Sequence, residues 1–252
     1  MNKVLSYYYL SPASPAYLAS ANQLLRTVRK KHPNISLKQV MAYLEQQKSH
    51  QLHKKHRKTK QFKRRVSRCV PIGHHTDHQC DLADMRRLSK SNSGANWILV
   101  CVDVLSRMVD ATPVKSKSAA DMVGAFKRIY EQHKILPFPW RIYSDNGKEF
   151  HNSSVREYLE KNFVQQLKST SEAKASVAER FIRDLKSRLY KHFTHTDTQN
   201  YTKILPNIIN SFNRTPCRKH GMLPIEINKE NWVNTKQELE IVYKWFAVTS
   251  VE

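Results

Sequence analysis

The stretch that most constrains this chain is Trp97-Ile98-Leu99-Val100-Cys101-Val102, a near-continuous apolar run. A run of that kind fits a central strand buried on both faces, which requires a covering layer on each side of its sheet. The flanking segments supply both the partner strands and the layers. Residues 78–85 read as a strand carrying Asp81 and Asp84, and Asn92-Ser93-Gly94 makes a turn. Residues 108–114 can pair as the next antiparallel strand. Ser118 caps a helix whose apolar face is Met122, Ala125, Phe126 and Ile129. Pro137-Phe138-Pro139 closes that connection, and a short strand opening with Trp140-Arg141-Ile142 leads to Asp145. Residues 153–163 read as a helix and 164–168 as a strand. A long helix follows over 175–193, and a further one over 200–213 is interrupted at Pro206. The order predicts an α/β domain, a mixed five-stranded sheet with flanking helices.

Charge narrows the partner. With 43 Lys and Arg against 21 Asp and Glu, the net charge is +22, and a polyanion is the expected partner, nucleic acid ahead of a membrane surface. No apolar run is long enough to span a bilayer, so no membrane association is expected. The N-terminal Met-Asn-Lys-Val-Leu-Ser-Tyr-Tyr-Tyr lacks the anatomy of a signal peptide. Four scattered cysteines, Cys69, Cys80, Cys101 and Cys217, read as free thiols of an intracellular protein.

Residues 1–50 form a small helical region that opens on a turn-prone Ser-Pro-Ala-Ser-Pro segment. Tyr17, Leu18, Leu24, Leu25 and Val28 recur at helical spacing. Ser36 caps a second helix with the face Leu37, Val40, Met41 and Leu44. The pair fits a helix-turn-helix reader of DNA, and it equally fits a small packing unit that precedes the main domain. Residues 51–76 form a basic linker with Lys54, Lys55, Arg57, Lys58, Arg64 and Arg65, and no acid lies between residues 46 and 76. So many like charges repel unless a polyanion neutralises them, which assigns these residues to phosphate contact, nuclear import or both. Cys69, His74, His75, His78 and Cys80 raise the question of zinc. No pair of Cys-x-x-Cys spacings is present, and none is expected to be bound.

Three acids recur at telling places. Asp81 lies within the first strand, Asp145 ends the fourth before Asn146-Gly147, and Glu179 lies in the first turns of the long helix. Asp84, Asp103, Asp110 and Glu149 compete with them, and Asp103 can instead cap the turn beside Ser106. Strands ending side by side, with a helix packed across them, would bring the three to one edge. Clustered carboxylates repel and persist where a cation neutralises them. Oxygen ligands alone suit Mg²⁺, with Mn²⁺ as its substitute. On the long helix, Arg183 at i+4 and Lys186 at i+7 share the face of Glu179, and Tyr190 extends it. These cations are expected to hold a phosphate backbone against the metals, with Lys174 in the preceding loop. Glu149 then stands aside, because Glu179 alone is in line with Arg183 and Lys186.

At this point the residues resemble a known family. Asp81-Leu82-Ala83-Asp84-Met85, Val102-Asp103-Val104-Leu105-Ser106-Arg107, Ser144-Asp145-Asn146-Gly147-Lys148-Glu149-Phe150 and Lys174-Ala175-Ser176-Val177-Ala178-Glu179-Arg180-Phe181 look like the catalytic core of retroviral-type integrases. The closest likeness is to the integrases of Polinton (Maverick) elements and related retroelements. The resemblance covers residues 77–226, leaving 227–252 as a C-terminal extension. It implies an RNase H-like fold and a catalytic, metal-binding triad of Asp81, Asp145 and Glu179. It also implies processing of element DNA ends and their joining to target DNA, a homo-oligomer, and a nuclear location. Where the family usually has Trp-Gln two residues before the first Asp, this chain has His78-Gln79. The residues beyond Trp245-Phe246 are expected to be too few for the β-barrel or chromodomain that often follows such a core. A catalytically inactive, transposon-derived DNA-binding protein is the alternative.

Overall fold

The computed structural model describes residues 2–53, 71–168 and 176–237. Its centre is a five-stranded sheet in the order β3-β2-β1-β4-β5. The strands are β1 (Asp77–Asp84), β2 (Trp97–Asp103), β3 (Val109–Val114), β4 (Arg141–Ser144) and β5 (Gln165–Lys168). The first three pair antiparallel, while β4 pairs parallel to β1 and β5 parallel to β4. The mixed five-stranded sheet with flanking helices expected from the sequence is what forms.

β2 is central and buried on both faces, as its composition requires. Ile98, Val100 and Val102 face one core cluster, and Leu99 and Cys101 face the other. This is the period-2 alternation of a strand, with apolar side chains at both phases. Helices α5 (Ala119–Lys127) and α6 (Ser153–Lys161) cover the second face through Met122, Phe126, Val155 and Leu159. Ser118 caps α5 and Asn152 caps α6, each accepting from a backbone N–H of its helix. A π-helical turn, Arg128–His133, extends α5 and ends where Lys134 takes a left-handed φ of 55°.

The first face is covered by α7 (Ser176–Thr196) and α8 (Leu205–Asn213), through Leu185, Leu189, Ile208 and Ile209. Pro206 does not interrupt a longer helix; it stands in the first turn of α8, where a missing N–H costs nothing. Four N-terminal helices complete this layer: α1 (Asn2–Leu10), α2 (Ala21–Arg29), α3 (Leu37–Glu45) and α4 (Lys48–Leu52). The first was not expected from the sequence, although Leu5 and Tyr9, both fully buried, sit one helical turn apart. Ser36 caps α3 in a reciprocal capping box with Gln39.

The first three of these helices share one hydrophobic cluster with α7, α8 and the sheet. Buried polar contacts fix the join. The Tyr17 hydroxyl lies 2.6 Å from His192 Nδ1, Lys191 Nζ donates to the Leu18 carbonyl, and Ser211 Oγ donates to the Ser14 carbonyl. Leu18 is held at a φ of +46° with its N–H bonded to the Tyr9 carbonyl. Backbone strain of this kind persists where surrounding contacts over-determine it. The helical region is therefore packed onto the sheet layer and does not merely precede it.

Candidate active site

The pairing of β1 and β4 sets the site. Asp77 is opposite Arg141 and Gln79 opposite Tyr143 in parallel register. The same register, carried on, brings Asp81 level with Asp145, the first residue beyond β4. On β1, Gln79, Asp81 and Ala83 share the face that α7 covers. The start of the register is locked by Asp77, fully buried, whose Oδ1 accepts from Arg141 Nε at 2.7 Å and whose Oδ2 accepts from Thr76 Oγ1 at 2.7 Å.

Asp145 turns the chain. Its Oδ1 accepts from the Gly147 N–H at 3.1 Å, and its backbone carbonyl is 2.9 Å from His151 Nε2. Gly147 is needed for space. A Cβ there would lie 3.0 Å from Asp145 Oδ1 and 2.6 Å from the Glu149 carboxylate. Glu149 lies beside the Asp145 turn, where it forms an ion pair with Lys117. The Lys117 ammonium lies 4.4 Å above the Trp97 ring.

The third carboxylate arrives on α7, whose N-terminus is tied to β1. Gln79, 3% exposed, accepts at Oε1 from the N–H of Val177 at 2.8 Å and of Ala178 at 3.4 Å. A helix N-terminus leaves its first N–H groups without intrahelical partners, and the amide oxygen satisfies two of them. Glu179 follows in the first turn, where the helix dipole favours a negative charge.

Electrostatics joins the three. The Asp81 carboxyl is raised from 3.8 to about 6, chiefly by burial and further by the charges of Asp145 and Glu179, against a hydrogen bond from the Leu82 N–H and the charge of Lys117. The charges of Asp145 and Glu179, carried by the β4 turn and α7, are thus felt at Asp81 on β1. The donors are all carboxylate oxygens, and Lys117 is the cation whose charge reaches Asp81 among the described residues. That set fits a hard divalent cation such as Mg²⁺.

The competing acids have other employment. Asp84 is exposed and bonded to Arg86, and its carboxyl is held down to about 2. Asp103 is fully buried and caps the turn, accepting from the Ser106 N–H at 2.9 Å. Asp110 lies 2.9 Å from His133. Arg183 is exposed on α7 and Lys186 is half-buried near Asp84. Among the described residues no ion pair joins Arg183 to Glu179. Tyr190, farther along, stacks on His53 with ring centroids 6.3 Å apart. Lys54, Lys55, Arg57, Lys58, Arg64, Arg65 and Lys174 lie outside the described residues. The sequence reading missed the parts played by Gln79, Lys117 and His151. Only Gln79 carried a signal, as the retained half of the Trp-Gln pattern.

Five strands in this order, three antiparallel and two added in parallel, with acids where β1 and β4 run level, define an RNase H-like fold of the integrase core type. Residues 74–172 match the integrase core domain family. The chain is 36% identical over 145 residues to a transposon-derived protein of Caenorhabditis elegans, a match over 58% of this chain and 50% of that protein. It therefore spans about half the length of that curated relative. The fold is similar to the HTLV-2 integrase catalytic core domain solved in complex with magnesium, with a TM-score of 0.52 and 16% identity over 62% of this chain and 97% of that one. It is also similar to a chain of a simian T-cell lymphotropic virus intasome, with a TM-score of 0.57 and 15% identity over 87% of this chain and 76% of the other. Among the described residues no helix is long and apolar enough to cross a membrane.

Proposed function

We propose that this protein is a metal-dependent polynucleotidyl transferase that processes transposon or retroelement DNA ends and joins them to target DNA. The observation that carries the reading is the parallel β1–β4 register, which continues to Asp81 opposite Asp145, with the first turn of α7, which includes Glu179, tied to the same strand by Gln79. The match to the integrase core domain and the transposon-derived relative support the substrate class. The Polinton-type affinity is part of the proposal and rests on the motifs. A nuclear location follows from the DNA substrate and the basic linker, and a homo-oligomer from the need to hold paired ends.

In this reading Asp81, Asp145 and Glu179 hold divalent ions, Mg²⁺ by donor chemistry and by likeness to the core solved with magnesium. When bound, such ions supply charge neutralisation and Lewis acidity to a reacting phosphodiester. The chain's own residues do the rest. Gln79 fixes the start of α7 so that Glu179 faces the two aspartates. Lys117 holds Glu149 and tempers the negative field at Asp81. Arg183 and Lys186, on the face of Glu179, bind backbone phosphates together with Lys174 and the basic linker. In the first step a water oxygen bonds to phosphorus and the P–O bond of the scissile phosphodiester breaks, freeing a 3′ hydroxyl. In the second that hydroxyl oxygen bonds to a target phosphorus and the target's 3′ oxygen leaves with the proton. Neither step passes through a covalent enzyme intermediate.

The test is to incubate the full chain with a labelled duplex, a plasmid target and Mn²⁺, and to score nicking and strand joining. Asp145→Asn is expected to abolish both, by more than ~100-fold, with the fold retained by circular dichroism. Equal activity of Asp145→Asn would overturn the assignment. Salt-sensitive binding without any nicking would instead identify a non-catalytic DNA-binding protein.

A further inference from the structure

At the end of β1 remote from the carboxylates, His74 and His75 meet Asp103, the last residue of β2. One ligand atom from each lies within 4.8 Å of the others. His75 Nδ1 is 3.8 Å from Asp103 Oδ2, close to the span of about 3.4 Å between two donors of a tetrahedral zinc ion. The two imidazole rings lie side by side with centroids 3.8 Å apart. Adjacent residues seldom present their side chains to one side. Here the left-handed backbone of His75, at a φ of 54°, turns them together.

The hydrogen bonding of the cluster is incomplete. His74 Nε2 and His75 Nδ1 are buried with no hydrogen-bond partner, as is the nearby His78 Nε2. Buried ring nitrogens in a folded protein are almost always paired, so lone pairs gathered beside a carboxylate call for a shared ligand. The Ile227 backbone is hydrogen-bonded to the His74 ring, the kind of outer contact that orients a ligating imidazole. Asp103 is fully buried; its Oδ2 accepts from both the N–H and the hydroxyl of Ser106, while its Oδ1 accepts only from the Leu105 N–H, at 3.5 Å, so the carboxylate keeps a lone pair on Oδ1 for a cation.

We propose that His74, His75 and Asp103 bind a zinc ion that ties the segment entering β1 to the end of β2. Two imidazole nitrogens and one carboxylate oxygen favour Zn²⁺ over Mg²⁺, which sets this site apart from the all-oxygen one. The expectation of no zinc was framed on cysteines. Cys69 lies outside the described residues, and Cys80 turns to Cys101, with the sulfurs 3.0 Å apart in the opposite core cluster. The partner supplied by the fold is Asp103, 28 and 29 residues beyond the histidines in sequence (103 − 75 and 103 − 74).

The test uses the full chain, tag removed, equilibrated with ZnCl₂ and freed of loose metal by gel filtration. Elemental analysis is expected to find about one equivalent of zinc, and Co²⁺ in its place should give a visible ligand-field band. His74→Ala, His75→Ala and Asp103→Asn should each lower retained zinc about tenfold. Asp103→Asn keeps an acceptor for the turn, and half-buried His74→Ala guards against a variant that fails to fold. Asp81→Asn and Asp145→Asn should retain the zinc, which separates this site from the proposed catalytic one. Less than about a tenth of an equivalent in the unaltered protein, or full retention in correctly folded His74→Ala and His75→Ala, overturns the proposal.

Discussion

Asp81 carries the largest electrostatic burden at the site. Its folded carboxyl sits near 6 against an ordinary value of 3.8, raised first by burial and then by Asp145 and Glu179. The folded state thus binds a proton between those values that the unfolded state releases. Stability from this group is full below about pH 4 and is lost as the pH rises through about 6. In metal-free protein, Asp81→Asn is therefore expected to raise stability at pH 7 by up to about 3 kcal/mol, with no gain at pH 4. Denaturant melts at both values in EDTA check this, and an equal effect at both would contradict it. The position would then be one where stability is given up for a metal-binding charge.

At the scale of elements, the long helix and the first strand meet through one side chain. Gln79 satisfies two N–H groups at the start of α7. Gln79→Ala is expected to cost about 1–2 kcal/mol in denaturant midpoint analysis. It should lower strand-joining activity by more than that loss explains, because the proposed site needs the first turn of α7, with Glu179, fixed to β1. Gln79→Glu discriminates further. A carboxylate can accept the same two bonds, so stability should return while activity stays low from the added negative charge beside the site. Recovery of both would reduce Gln79 to a cap alone. The apolar positions of 175–193 made α7 legible in the sequence, and the near-continuous apolar run of 97–102 did the same for β2. The anchor was not legible, since it depends on a glutamine meeting residues 98 and 99 positions away.

The whole molecule behaves as one packing unit on its first face. The four tryptophans, at 97, 140, 232 and 245, all lie outside the N-terminal helices, while Leu24 of α2 is fully buried in the cluster shared with α7. Leu24→Ala is expected to lower the unfolding free energy by about 2–4 kcal/mol in a transition read by tryptophan fluorescence. An unshifted tryptophan transition would show that the helices unfold separately. DNA binding should fall steeply between about 50 and 200 mM salt, as expected for a protein that neutralises many phosphates. A flat salt response, measured by fluorescence anisotropy, would argue against the charge of +22 serving phosphate contact.

The sequence by itself determined the order of strands and helices from β1 to α8, the basic character and the three acids worth watching. Each is a local property, written in periodicity, composition or a short motif. Tertiary structure decided which acids could act together. Asp81 and Asp145 come level through the β1–β4 register, and Gln79 ties the start of α7, which carries Glu179, to the same strand. Pairing across the sheet likewise sent Asp103 to a turn beside two histidines and brought Glu149 back to the Asp145 turn. Apolar periodicity is fixed along the chain, whereas the convergence of charged groups depends on which strands become neighbours and in what register.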